Sequence, residues 1–162
     1  MAPIEQLELI AEISAAFLGF IAIFIALSNE DGRFSASDRH FIQSLVLVSS
    51  FAICLSFVPQ TLFSYFAEDA AWHYSLMVFI SGWLLIGILI GWEQWHMPQE
   101  EAEKVNVMWH MPPWSLAFAM SAFVLHALYT GENFRQAYVS AVTLTIPQNL
   151  WCFIAIVFRR FF

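Results

Sequence analysis

Charge is what this sequence has least of. Asp, Glu, Lys and Arg make up 12% of its 162 residues, and 60% are hydrophobic. Soluble domains carry roughly a quarter charged residues, so this balance points to lipid. Lys and Arg number 6 against 13 acidic residues, and the formal charge of −7 excludes a general affinity for nucleic acid or anionic lipid surfaces. Cysteine is scarce too. Cys54 and Cys152 both fall in apolar stretches, which suits small core residues and not a disulfide framework or zinc knuckle. There is no P-loop, no G-x-S-x-G, no H-E-x-x-H and no intramembrane lysine to carry retinal, so no enzyme is expected. A basic region ahead of the first apolar stretch is missing as well. Glu5, Glu8 and Glu12 stand there instead, which predicts a retained span rather than a cleaved signal.

What the chain has is apolar length. Five stretches, at about 4–27, 41–66, 71–95, 108–130 and 137–158, are each long enough to cross a hydrocarbon core of about 30 Å. Residues 1–162 therefore form a single transmembrane domain, an all-α polytopic bundle of five helices. Polar turns at Asn29–Gly32, Glu68-Asp69, Gln99–Lys104 and Gly131-Glu132-Asn133 separate the spans. Arg33, Arg39, Lys104, Arg159 and Arg160 then share one side, and Arg135 lies on the other. The positive-inside rule places the N-terminus outside and the C-terminus in the cytoplasm. Trp72, Trp92, Trp95, Trp109 and Trp114 sit near span ends, as an aromatic belt requires.

The run Ala11-Glu12-Ile13-Ser14-Ala15-Ala16-Phe17-Leu18-Gly19-Phe20, a short charged loop, and then Leu55-Ser56-Phe57-Val58-Pro59 carry a resemblance. Over spans one to three the chain resembles a group of small bacterial multi-pass membrane proteins of no assigned function. The resemblance implies a bacterial inner-membrane setting and no activity.

Span one holds the most regular pattern. At about 100° per residue, Glu5, Glu8, Glu12, Ala15, Gly19, Ala22 and Ala26 share one face. Ile10, Ile13, Phe17, Phe20 and Phe24 point elsewhere, toward lipid. The small residues suit close helix approach, within the protomer or between subunits. The same face also suits a water-filled path with Glu12 as its deepest acid, since a carboxylate two turns inside a span needs a partner, water or a proton. His126, near the same depth in span four, is the favoured partner, with His73 closer to water.

Two segments centre on proline: Phe57-Val58-Pro59-Gln60-Thr61-Leu62-Phe63 and Thr145-Ile146-Pro147-Gln148-Asn149-Leu150-Trp151. Each proline leaves the carbonyl four residues back, Leu55 or Thr143, without its helical donor. Gln60, Gln148 and Asn149 then offer polar contacts near the midplane, in an arrangement compatible with an inverted repeat or with simple repaired kinks. Gln43, Ser50, Cys54 and Thr61 form a stripe on span two expected to face the interior, and Gly87 and Gly91 a GxxxG pair. Trp95-His96-Met97-Pro98 and Trp109-His110-Met111-Pro112 repeat a tetrapeptide on either side of the third loop. With Glu93 and His40 these histidines suggest a metal alternative, imidazole and thioether suiting a soft ion; interfacial packing is the plainer role.

These features define the expected function: a homo-oligomeric ion channel or small transporter for a cation or proton, with an acidic outer vestibule on span one. Its candidate residues are Glu8, Glu12, His126, Gln60, Gln148 and Asn149, and no cofactor is required. A metal-binding or redox protein using His40, Glu93, His96, His110 and a transition-metal ion is the alternative. An accessory subunit of a membrane complex is a third. The expected partners are the lipid bilayer, further copies of the chain and an inorganic ion.

Overall fold

The computed structural model describes residues 2–28, 34–100 and 107–161, with side chains except at 27–28, 107–111 and 159–161. Among them lie six helices and no strand: α1 (Pro3–Ser28), α2 (Ala36–Phe63), α3 (Glu68–Trp95), α4 (Val107–Thr130), α5 (Phe134–Thr143) and α6 (Thr145–Phe161). Four stretches are long and apolar enough to cross a membrane: Pro3–Ala26, Ala36–Phe63, Glu68–Trp95 and Phe134–Phe158. The last is α5 and α6 taken together. The fourth expected span coincides with α4, whose 24 residues make about 36 Å of helix.

Several boundaries differ from the sequence reading by a few residues, one of them for a capping reason. α2 starts at Ala36 and not at 41, because Ser35 and Asp38 form a capping box. The Ser35 hydroxyl accepts from the Asp38 N–H and the Asp38 carboxylate accepts from the Ser35 N–H, both at 3.1 Å. α3 starts at Glu68, so Glu68 and Asp69 are first-turn acids at a positive helix end and not a loop.

α2 is the hub, packing on α1, α3, α5 and α6, while α4 packs on α3, α5 and α6. The interior divides into two apolar clusters. The larger joins Leu7 and Ile10 of α1 and Val48, Ala52 and Leu55 of α2 to the α3–α5 core. The smaller joins Ile21, Phe41, Leu45, Cys152, Ala155 and Ile156 at the other end. α1 buries Leu7, Ile10, Ala11, Ser14 and Ile21. Ala15, Gly19, Ala22 and Ala26 lie on its exposed side, and a Cβ at Gly19 would meet nothing within 4 Å. The small face is thus no seam within the protomer. Ile10, expected toward lipid, packs inward as part of the larger cluster, with buried residues of α2 and α5.

Other expectations also change. Gln43, Ser50, Cys54 and Thr61 are exposed, and the buried stripe of α2 is Ser37, His40, Ser44, Val48, Ala52, Leu55 and Pro59. Gly87 and Gly91 have open space at their Cβ positions, whereas Gly82 touches the Phe51 ring so closely that no Cβ fits without movement. Trp72 is a core residue, 3% exposed, against Phe63 and Tyr138. The two prolines act differently. Pro59 lies within an unbroken α2, while span five breaks at Leu144, ahead of Pro147.

Candidate functional site

A helix buried in lipid or protein has no water for its hydroxyls, so serines commonly donate to the carbonyl one turn back. Ser56, Ser75 and Ser121 do so, to Ala52, Ala71 and Ala117 at 2.8–2.9 Å. Ser14 and Ser49 do not. Both are fully buried, and neither hydroxyl has a partner among the described residues. Asn149 is equally buried, with no partner among the described residues for either end of its amide, and Gln148, 6% exposed, has a carboxamide oxygen without one among them.

These groups share one level. Ser14 stands a turn from Ile10 of the larger cluster and from Phe17, which packs on the smaller one. Ser49 stands likewise between Ala52 and Leu45, and Asn149 between Ile146 and Cys152. Their helices α1, α2 and α6 pack on one another pairwise. A polar layer therefore separates the two apolar clusters. Leaving such atoms unsatisfied costs about 1–3 kcal/mol each. The helix break at Leu144 lies little more than a turn before Asn149.

Gln148 also lines a cavity of about 70 Å³ where the two clusters meet. His40, Phe41, Ser44, Trp83, Trp114 and Cys152 share its wall. Trp83 is fixed by stacking on Phe79 and Phe51, with ring centroids 5.9 and 6.3 Å apart. His40 is 2% exposed and holds its Nδ1 3.5 Å from Glu93 Oε2. Gln43, its carboxamide turned to present nitrogen, donates to Glu93 Oε1 at 2.9 Å and Oε2 at 3.3 Å. Glu93 itself lines an open groove with Arg39, Gln43, His96 and Met97. The His40–Glu93 contact thus links an open groove to the cavity.

The expected site residues are brought together only in part. Gln148 and Asn149 join the polar layer. Gln60 donates to Glu8 at 3.4 Å on the surface between α2 and α1. Glu12 and His126 are both exposed, and no hydrogen bond or ion pair joins them among the described residues. His73 stacks on Phe134 at 4.8 Å. Of the metal alternative, His40 and Glu93 meet, but His96 is exposed, its Nδ1 2.8 Å from the Trp92 carbonyl and its ring against the Trp92 indole. The side chain of His110 lies outside the described residues. Among the described residues no three His, Cys, Asp or Glu side chains converge as a metal cage.

Sequence reasoning missed Ser14, Ser49, Ser44 and Trp83. A serine in an apolar helix gives no signal of its own; the signal is which face is buried, and α1 buries the face opposite its most regular pattern. Comparison with family models, curated proteins and solved structures found no match to this chain.

Proposed function

We propose that this protein is a small membrane transporter for a cation or proton, whose route runs through the interior of the protomer. One observation carries the reading: the polar layer of Ser14, Ser49, Gln148 and Asn149, buried and unpartnered between two apolar clusters. Polar groups in a membrane interior are expensive and mark pathways. A broken helix beside them is a recurrent transporter device. Leu7, Ile10 and Leu55 pack the interior shut toward one end, and the cavity lies where the two clusters meet, walled by Phe41 and Cys152 of one and Trp83 and Ile86 of the other. An interior packed shut at one end favours a transporter over an open channel.

In this reading Glu93 and His40 pass the ion between groove and cavity, and Gln148 and Asn149 hold it at the midplane. Glu8 and Gln60 supply polar contacts at the opposite end. The distribution of basic residues supports a cytoplasmic His40 end, and the resemblance supports a bacterial inner-membrane setting. The exposed face of α1, with Glu12 among small residues, supports assembly into a homo-oligomer, since a carboxylate facing acyl chains would be costly. Proton and monovalent-cation flux into proteoliposomes tests the proposal. Uptake above protein-free vesicles that falls with Asn149→Leu supports it, and absence of uptake for every monovalent cation and for protons refutes it.

A further inference from the structure

We propose that the ion carried is the proton, relayed across the seam between α2 and α3 by Glu93 and His40. This names the cargo of the transport reading above and rests on it. The groove and the cavity lie on the two sides of that seam. Arg39 and Gln43 of α2 and Leu89 of α3 line the groove, and the residues next to them in the chain, His40, Ser44 and Ile90, line the cavity. Among the described residues no side chain lines both. The seam is packed: His40 is 2% exposed, its Nδ1 is out of reach of solvent, and the Phe41 ring stands edge-on to it at 5.8 Å. What crosses the seam is the contact of His40 Nδ1 with Glu93 Oε2, 3.5 Å long.

A metal cation would have to leave its hydration shell behind to pass packed side chains, which is costly. A proton needs no opening, because an imidazole accepts at one ring nitrogen and releases from the other. Chains of Glu and His inside a membrane are a common form of proton relay. The transfer balances. The carboxyl proton of Glu93 passes to Nδ1, leaving a carboxylate and an imidazolium. The proton on Nε2 then passes to water in the cavity, leaving a neutral ring that carries its hydrogen on Nδ1. A half-turn of the ring restores the first tautomer, and water in the groove reprotonates the carboxylate. Relay contacts are often long at rest and tighten during transfer. The cavity, at about 70 Å³, has room for several waters at about 10–15 Å³ each. His40 and Ser44 put polar groups on its wall. The charged neighbours of the relay are Arg39 of α2 and Glu93 of α3, in the groove; α6 brings the Cys152 thiol to the cavity, and α4 brings no titratable side chain among the described residues.

Proteoliposomes of the full chain test this with two readouts. An enclosed pH dye reports proton flux under a potassium diffusion potential set by valinomycin, and tracer uptake without the ionophore reports sodium and rubidium. Proton flux should exceed that of protein-free vesicles and slow in deuterium oxide, and neither metal ion should enter above the protein-free level. His40→Gln keeps a polar side chain in the seam but cannot accept at one atom and release from another, so proton flux should fall by roughly tenfold or more. If that variant does not fold, Glu93→Gln, which keeps its shape and has no carboxyl proton to pass, decides by the same readout. Sodium or rubidium uptake that falls with Asn149→Leu overturns the inference and keeps the transport reading. Proton flux unaltered in folded His40→Gln overturns the relay. Absence of flux for all three ions removes the transport reading and the inference with it.

Discussion

Tyr138 donates its phenolic hydrogen to the carbonyl of Leu55 at 2.6 Å, deep between α5 and α2. Pro59 stands four residues beyond Leu55 and has no N–H to offer that carbonyl. The tyrosine supplies the missing donor and ties the first half of the broken span to the hub helix. Tyr138→Phe should then cost about 1–3 kcal/mol of stability. In the Pro59→Ala background the same change should cost less, because residue 59 regains its own N–H. Thermal unfolding in detergent checks this, and equal costs in the two backgrounds would show that proline does not create the need.

Phe51 lies against Gly82 with no room for a methyl group, and it also stacks on Trp83 of the cavity wall. Gly82→Ala should destabilise by about 1–3 kcal/mol through overpacking, while Gly87→Ala and Gly91→Ala, with open space at both positions, should be near neutral. Unfolding temperatures of the three variants provide the check. A neutral Gly82→Ala would mean that the ring moves aside freely.

Glu93 receives Gln43 and faces His40. Glu93→Gln keeps the shape and removes the charge, so flux should fall by on the order of tenfold, as for a lost hydrogen bond to a charged group. The oligomer and its unfolding temperature should stay as they are. Flux unchanged in Glu93→Gln would exclude the groove as the entrance.

The proposed topology rests on the positive-inside rule, with five basic residues expected on one side and Arg135 on the other. Asp69→Cys should react with a membrane-impermeant maleimide in intact cells, and Lys104→Cys should react only after lysis. The reverse pattern would invert every statement about which end of the bundle meets the cytoplasm.

The helices were legible in the sequence because a span is a property of composition, and their ends missed by a few residues where Ser35 and Asp38 cap α2 or Glu68 and Asp69 enter the first turn of α3. The faces were not legible. The acidic and small pattern of α1 is regular, yet it lies outside, and the helix buries Leu7, Ile10 and Ser14. In lipid both faces of a helix are apolar, so periodicity does not tell inside from outside. Gln148 and Asn149 could be picked out because a carboxamide in a span is conspicuous. Ser14 and Ser49 could not, since a helical serine ordinarily satisfies itself. The pairing of Glu12 with His126 rested on depth alone, and depth leaves open which helices touch: α1 packs on α2, α5 and α6.

Two variants separate a route inside the protomer from one along the exposed face of α1. Proteoliposomes carrying Asn149→Leu and Gly19→Leu should be compared for proton and monovalent-cation flux, with size-exclusion profiles of the same preparations. A protomer-internal route requires Asn149→Leu to lose flux while its oligomer persists, and Gly19→Leu, which projects from the outer surface, to keep flux per folded protomer. Flux retained in Asn149→Leu and lost in an intact Gly19→Leu oligomer would contradict it and place the path between subunits.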